Sequence, residues 1–139
     1  MITLKFTKLV LLINGIIDVI IGISLVFFPN LIAQLLSYPL LTDHAFFFAG
    51  GWGIAAISFG VARIWAFFVD SFVWYNVTVG LFEGTILSIF SIVIPLIYSS
   101  VSFIHTSMSL AVGSVFMVLY GVLLLLHFSK KKNVNKELD

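Results

Sequence analysis

Apolar positions in this chain fall into four long blocks separated by short polar punctuation. The first runs from about Lys8 to Phe28 and stops at Pro29, and the second covers about Ala45 to Val69. The third begins at Ser71 and reaches Pro95, and the fourth runs from about Ser102 to Phe128. Each has spanning length: a helix over Ser71 to Pro95 rises about 37 Å, against a hydrocarbon core of roughly 30 Å. Backbone polar groups in hydrocarbon must be satisfied within the segment, which helices do. The pattern predicts an all-α integral membrane four-helix bundle. It forms one domain over residues 1–129, with spans at about 8–28, 45–69, 71–97 and 102–128 and a polar, basic tail over 130–139.

The punctuation is informative too. Leu31, Ile32, Leu35 and Leu36 recur at helical spacing against Gln34 and Ser37 before Tyr38-Pro39 stops the run. That predicts a short interfacial helix between spans one and two. Thr42 or Asp43 suits the N-cap of span two, and Asp70 or Ser71 that of span three. Lys5 and Lys8 ahead of an apolar run have the look of a signal peptide. The run is too long for an h-region and no small-x-small site precedes Pro29, so it reads as a true span.

Composition narrows the class. Of 139 residues 61% are hydrophobic and 9% charged, where a soluble domain carries about 25% charged. With mean hydropathy at +1.20, a soluble globular fold is excluded, since a domain this small exposes too much surface. The absence of cysteine excludes disulfides, thiolate metal sites, iron–sulfur ligation and cysteine nucleophiles. No P-loop, nucleophile elbow, dinucleotide fingerprint or zinc motif occurs, and Gly50-Gly51-Trp52-Gly53 lies inside a span.

Charge sets the orientation. Lys5, Lys8, Arg63, Lys130, Lys131, Lys132 and Lys136 lie at or near one side of a four-span topology, and the opposite loops hold no Lys or Arg. Both termini are therefore expected in the cytoplasm, in a cell (inner or cytoplasmic) membrane. The Lys130–Lys132 cluster reads as a stop-transfer anchor that attracts anionic lipid; nucleic acid is not an expected partner. Arg63, about five residues before the end of its span, reads as an interface residue snorkelling toward the headgroups.

Chemistry enters with two acids. Asp18 and Glu83 fall near the middle of spans one and three, where a carboxyl costs about 2.5–3.5 kcal/mol on insertion scales. Asn14, Asp18 and Gly22 share one face. Asn76, Gly80, Glu83 or Gly84, Ser88 and Ser91 make a similar stripe. Span four offers Ser102, His105 or Thr106, Ser109, Gly113 and Tyr120, and span two Ala49, Gly53, Ala56 and Gly60 with Ser58 beside them. Converging stripes would give a polar interior. The candidate ligand or proton site is Asp18, Glu83, Asn14, Asn76, Ser109 and Arg63. Against it stands glue between helices, at ~0.5–2 kcal/mol per contact. Gly15-Ile16-Ile17-Asp18 before Pro29 and Gly80-Leu81-Phe82-Glu83 before Pro95 also suggest a parallel internal repeat. His44 and His105 with Asp43 lack a third well-placed ligand, so no metal and no cofactor is expected; a quinone or lipid stays open. Phe46-Phe47-Phe48 and Phe67-Phe68 are expected to face lipid.

At Gly50-Gly51-Trp52-Gly53, with Gly60 and Arg63 after it and Asn14-Gly15 and Asp18 before, the chain resembles the DoxX-like small four-helix membrane proteins. The similarity covers about the first half. It implies a membrane subunit associated with quinone-linked redox chemistry, and no catalytic residue is carried over from it. The residues themselves leave three functions open. One is a polar intramembrane pocket that binds or passes a small ligand, lipid, quinone or proton. Another is a non-catalytic accessory subunit of a larger membrane complex, or a homo-oligomer among membrane lipids. The third is an enzyme acting on a lipid, with one acid as proton donor.

Overall fold

The computed structural model describes residues 2–136, with side chains from Leu4 to Lys130. Among the described residues the chain is helical, without strands. The elements are α1 (Ile2–Phe27), α2 (Pro29–Leu35), α3 (Asp43–Phe68), a 3-10 turn (Asp70–Phe72), α4 (Val73–Ile97) and α5 (Phe103–Lys136). Four stretches, Leu4–Phe27, Asp43–Phe68, Asp70–Ile97 and Phe103–Lys130, are long and apolar enough to cross a membrane. The chain is a helical membrane protein.

Several boundaries move from their expected places. α1 is already helical at Ile2, so Lys5 and Lys8 ride on its first turns. α5 continues to Lys136, so the stretch read as a tail begins as helix. The side chains of Lys131, Lys132 and Lys136, and residues 137–139, lie outside the described residues. Pro95 sits inside the last turn of α4 and does not end it. A proline there removes one N–H and crowds the carbonyl four residues back, yet the Tyr98 N–H still reaches the Ile94 carbonyl at 2.9 Å.

The caps differ as well. Thr42 takes the extended N-cap conformation of α3, but its side chain makes no cap hydrogen bond. Asp70 and Ser71 are drawn into the 3-10 turn, which leaves Phe72 at the N-cap of α4 without a side-chain cap. α2 begins on Pro29, whose missing N–H is an orphan at a helix start anyway. It ends in a Schellman arrangement: Tyr38 N–H donates to the Ala33 carbonyl at 2.8 Å and Ser37 N–H to that of Gln34 at 3.0 Å. Ser37 takes φ 60, the left-handed conformation such a stop requires. Asn30 Oδ1 then accepts the Leu41 N–H at 2.9 Å and holds the loop leading to α3.

The chain divides into two compact units, Leu9–Asp70 and Met1–Lys8 with Ser71–Asp139. In the first, α1 and α3 run antiparallel with glycines facing. A Cβ placed on Gly15 would stand 2.7 Å from the Gly60 carbonyl oxygen, and one on Gly60 would stand 2.6 Å from that of Gly15. Gly22 and Gly53 repeat the arrangement at 2.5 and 2.6 Å. Without a hydrophobic force between helices in lipid, such backbone approach is what packing rests on.

In the second unit α4 and α5 pair along one seam. Val73, Asn76, Val77, Gly80, Gly84, Ser88 and Ser91 are the buried residues of α4. Thr106, Gly113, Tyr120 and Leu123 are buried on α5. A Cβ on Gly84 would lie 2.8 Å from the Gly113 carbonyl oxygen, and one on Gly80 would collide with the Tyr120 ring. Outside these seams large apolar side chains stay exposed, Phe47 at 79% and Trp52 at 71% among them. Lipid is the solvent that makes such a surface stable.

Candidate functional site

The hydroxyls account for themselves locally. Ser24, Ser58, Thr78, Thr85, Ser88 and Ser91 each donate to the carbonyl four residues back in their own helix, at 2.7 to 2.9 Å. This back-bonding satisfies a hydroxyl in hydrocarbon without any partner helix. Asn76, expected in the site, does the same: its Nδ2 donates to the Phe72 carbonyl at 3.0 Å. Ser88 and Ser114 add a hydroxyl contact at 3.4 Å across the α4–α5 seam. Much of the polar striping is thus each helix serving itself.

Charged side chains cannot be served that way. On α3, Arg63 is 2% exposed, and its Nη1 donates to Asp18 Oδ2 on α1. The Asp18 side chain is 17% exposed, and Asn14, one turn before it, is buried. The Phe59 ring stands 5.9 Å from the guanidinium carbon, within cation–π range. The snorkelling expected of Arg63 is therefore corrected. A helical side chain leans toward the N-terminus of its own helix. For Arg63 that direction runs away from the nearby end of α3 and, because the helices are antiparallel, along α1 from Gly15 toward Asp18.

Gly15 is what lets the arginine pass. A Cβ at Gly15 would lie 3.1 Å from Arg63 Cβ. The stem of the arginine thus occupies the space a side chain at 15 would take. Pairing across the same seam keeps both charges away from lipid, where an isolated one would be expensive.

The other expected residues are distributed as follows. Glu83 is half-buried on α4, between the buried Gly80 and Gly84, in the other compact unit from Asp18. Of the alternatives at that point in the stripe, Gly84 is the seam residue. Ser109 is half-buried on α5, while Thr106 is buried ahead of His105. His105, weighed as an interface or metal residue, accepts the Ser102 N–H on Nδ1 at 3.2 Å and so caps the start of α5. No group of three or more His, Cys, Asp and Glu able to hold a metal occurs among the described residues. In α3, Gly53 and Gly60 are buried with Arg63 and Ala66, while Ala49 and Ala56 are only half-buried. Contact there recurs every seven residues, not every four. That spacing, Gly15 to Gly22 against Gly53 to Gly60, was the overlooked signal for the α1–α3 pairing, and with it for the ion pair.

Comparison with family models, with curated proteins and with solved structures returned no significant match. The site is read on its own chemistry.

Proposed function

We propose that this protein is an integral membrane protein that holds a polar binding site inside the hydrocarbon layer, centred on Asp18 and Arg63, with Asn14 beside them. It binds or passes a small polar or ionisable ligand: a proton, a quinone or the polar group of a lipid. Glu83, Asn76 and Ser109 enter the proposal as separate polar positions on α4 and α5. The observation that carries it is the Arg63–Asp18 pair in a seam that glycine contact already closes. Buried ion pairs are poor stabilisers compared with apolar residues of similar volume. Two charges kept where packing does not need them argue for use. Arg63 supplies a fork of donors for an anionic or carbonyl oxygen, and Asp18 supplies an acceptor, or a donor when protonated.

In this reading both termini face the cytoplasm, α2 lies in the interface, and the host is the cell membrane, on the support of the lysine distribution. The resemblance to DoxX-like proteins favours a quinone among the ligands. The test is purification in mild detergent with analysis of co-purifying small molecules, for the native chain and for Asp18→Asn and Glu83→Gln. A bound molecule lost in Asp18→Asn protein that still purifies as a folded, helical species supports the site. Retention unchanged in both variants ends it.

A second reading is favoured by the outer face of α3. Gly50 and Gly51 meet nothing within 4 Å of an added Cβ, and Trp52 and Phe47 stand exposed. An accessory subunit packed into a larger membrane complex would cover this face. Its sign is co-purification with larger partners and with no small molecule.

A further inference from the structure

We propose that the end of the α4–α5 unit where Trp74 and His127 stack is a docking surface for an anionic phospholipid leaflet. Trp74 lies in the first turn of α4 and His127 late in α5, and their rings stack with centroids 3.7 Å apart at 27°. Phe128 meets the imidazole edge-on at 5.6 Å. One turn beyond His127 stands Lys130, exposed, so aromatic, imidazole and ammonium follow one another along the helix. The first turns of α1 belong to the same unit and bring Lys5, exposed, and Lys8, half-buried.

Basic side chains outnumber acidic ones among the described residues here. Among the described side chains of this unit the only acid is Glu83, nine residues past Trp74 on α4 and so about 13 Å further along the helix. Asp70 stands four residues before Trp74 in the chain, one acid against the three lysines whose side chains are described, Lys5, Lys8 and Lys130. The loop at the other end of the pair, Tyr98 to Ser102, holds no charged residue. The cationic end is also rimmed by exposed rings, Tyr75 at 67% and Phe128 at 61%. Ammonium groups next to exposed aromatics fit a ligand that brings phosphate and acyl chain together, as a leaflet does and a free anion does not. Lys5 and Lys130, both exposed, take the phosphates, while the Trp74–His127 stack sits at the boundary between headgroup and chain. This inference does not depend on the site at Asp18.

The experiment is native mass spectrometry of the full chain after equilibration in detergent with equimolar phosphatidylglycerol and phosphatidylcholine, with and without inorganic phosphate. The native chain is expected to retain phosphatidylglycerol preferentially, and inorganic phosphate should not displace it. Lys5→Gln and Lys130→Gln combined should lower that preference by about fivefold per lysine. The two substitutions, at exposed positions, are also read singly in case the double variant folds poorly. Equal retention of the two lipids by the native chain, a preference unchanged by the lysine variants, or displacement by inorganic phosphate would each overturn the proposal.

Discussion

Arg63 of α3 lies against Gly15 of α1 and extends one turn along it to Asp18. The missing side chain at position 15 and the salt bridge at position 18 are two parts of one arrangement. The glycine admits the arginine stem, and the acid receives its end. The pair is held by helices whose backbones already touch at Gly15–Gly60 and Gly22–Gly53.

Breaking the pair from one side should therefore cost more than removing it whole. Asp18→Leu or Arg63→Met alone leaves a buried charge without its counterion and is expected to destabilise by about 3–5 kcal/mol. Asp18→Leu with Arg63→Met should recover most of that loss. Unfolding of the four proteins in one detergent gives the double-mutant cycle; additive losses would show that the two residues do not act as a pair.

The glycine seam gives a matched contrast within a single helix. Gly53→Ala drives a methyl against the Gly22 carbonyl and should lose about 1–3 kcal/mol. Gly51→Ala meets nothing within 4 Å and should gain about 0.5–1 kcal/mol from helix propensity alone. Thermal midpoints moving in opposite directions are the expected result.

On α4, Gly80→Ala should be rescued by a change on α5. The added methyl runs into the Tyr120 ring, which is fully buried. Gly80→Ala is expected to cost about 1–3 kcal/mol, and adding Tyr120→Leu should return part of it by clearing the space. A second substitution that only deepens the loss would show that this contact does not set the spacing of α4 and α5.

Ser37 offers a gain of stability. Its left-handed φ of 60 ends α2, a conformation in which a Cβ costs roughly 1–2 kcal/mol and glycine pays nothing. Ser37→Gly should raise the thermal midpoint and Ser37→Val should lower it. Proteolysis within residues 36–42, slower in the glycine variant and faster in the valine variant, gives an independent readout.

The spans were legible because bilayer thickness and apolar run length are tied by helix rise, and that relation needs no neighbour. Ends were less legible. Pro95 does not stop α4, and the 3-10 turn takes Asp70 and Ser71 away from capping, because termini answer to local hydrogen bonds that hydropathy does not encode. The polar stripes were visible as stripes. Their meaning was not, since a serine bonded to its own helix and a serine lining a site look alike in the sequence.

By itself the sequence determined that this chain is helical, membrane-spanning in length four times over, and burdened with an Asp, a Glu and an Arg within its apolar blocks. Those properties follow from composition and period alone. Only the tertiary structure decided that Arg63 belongs to Asp18. A side chain's lean along its helix becomes a partnership only once a second helix runs antiparallel at glycine contact distance, and which glycines meet is a property of two segments, not of either one.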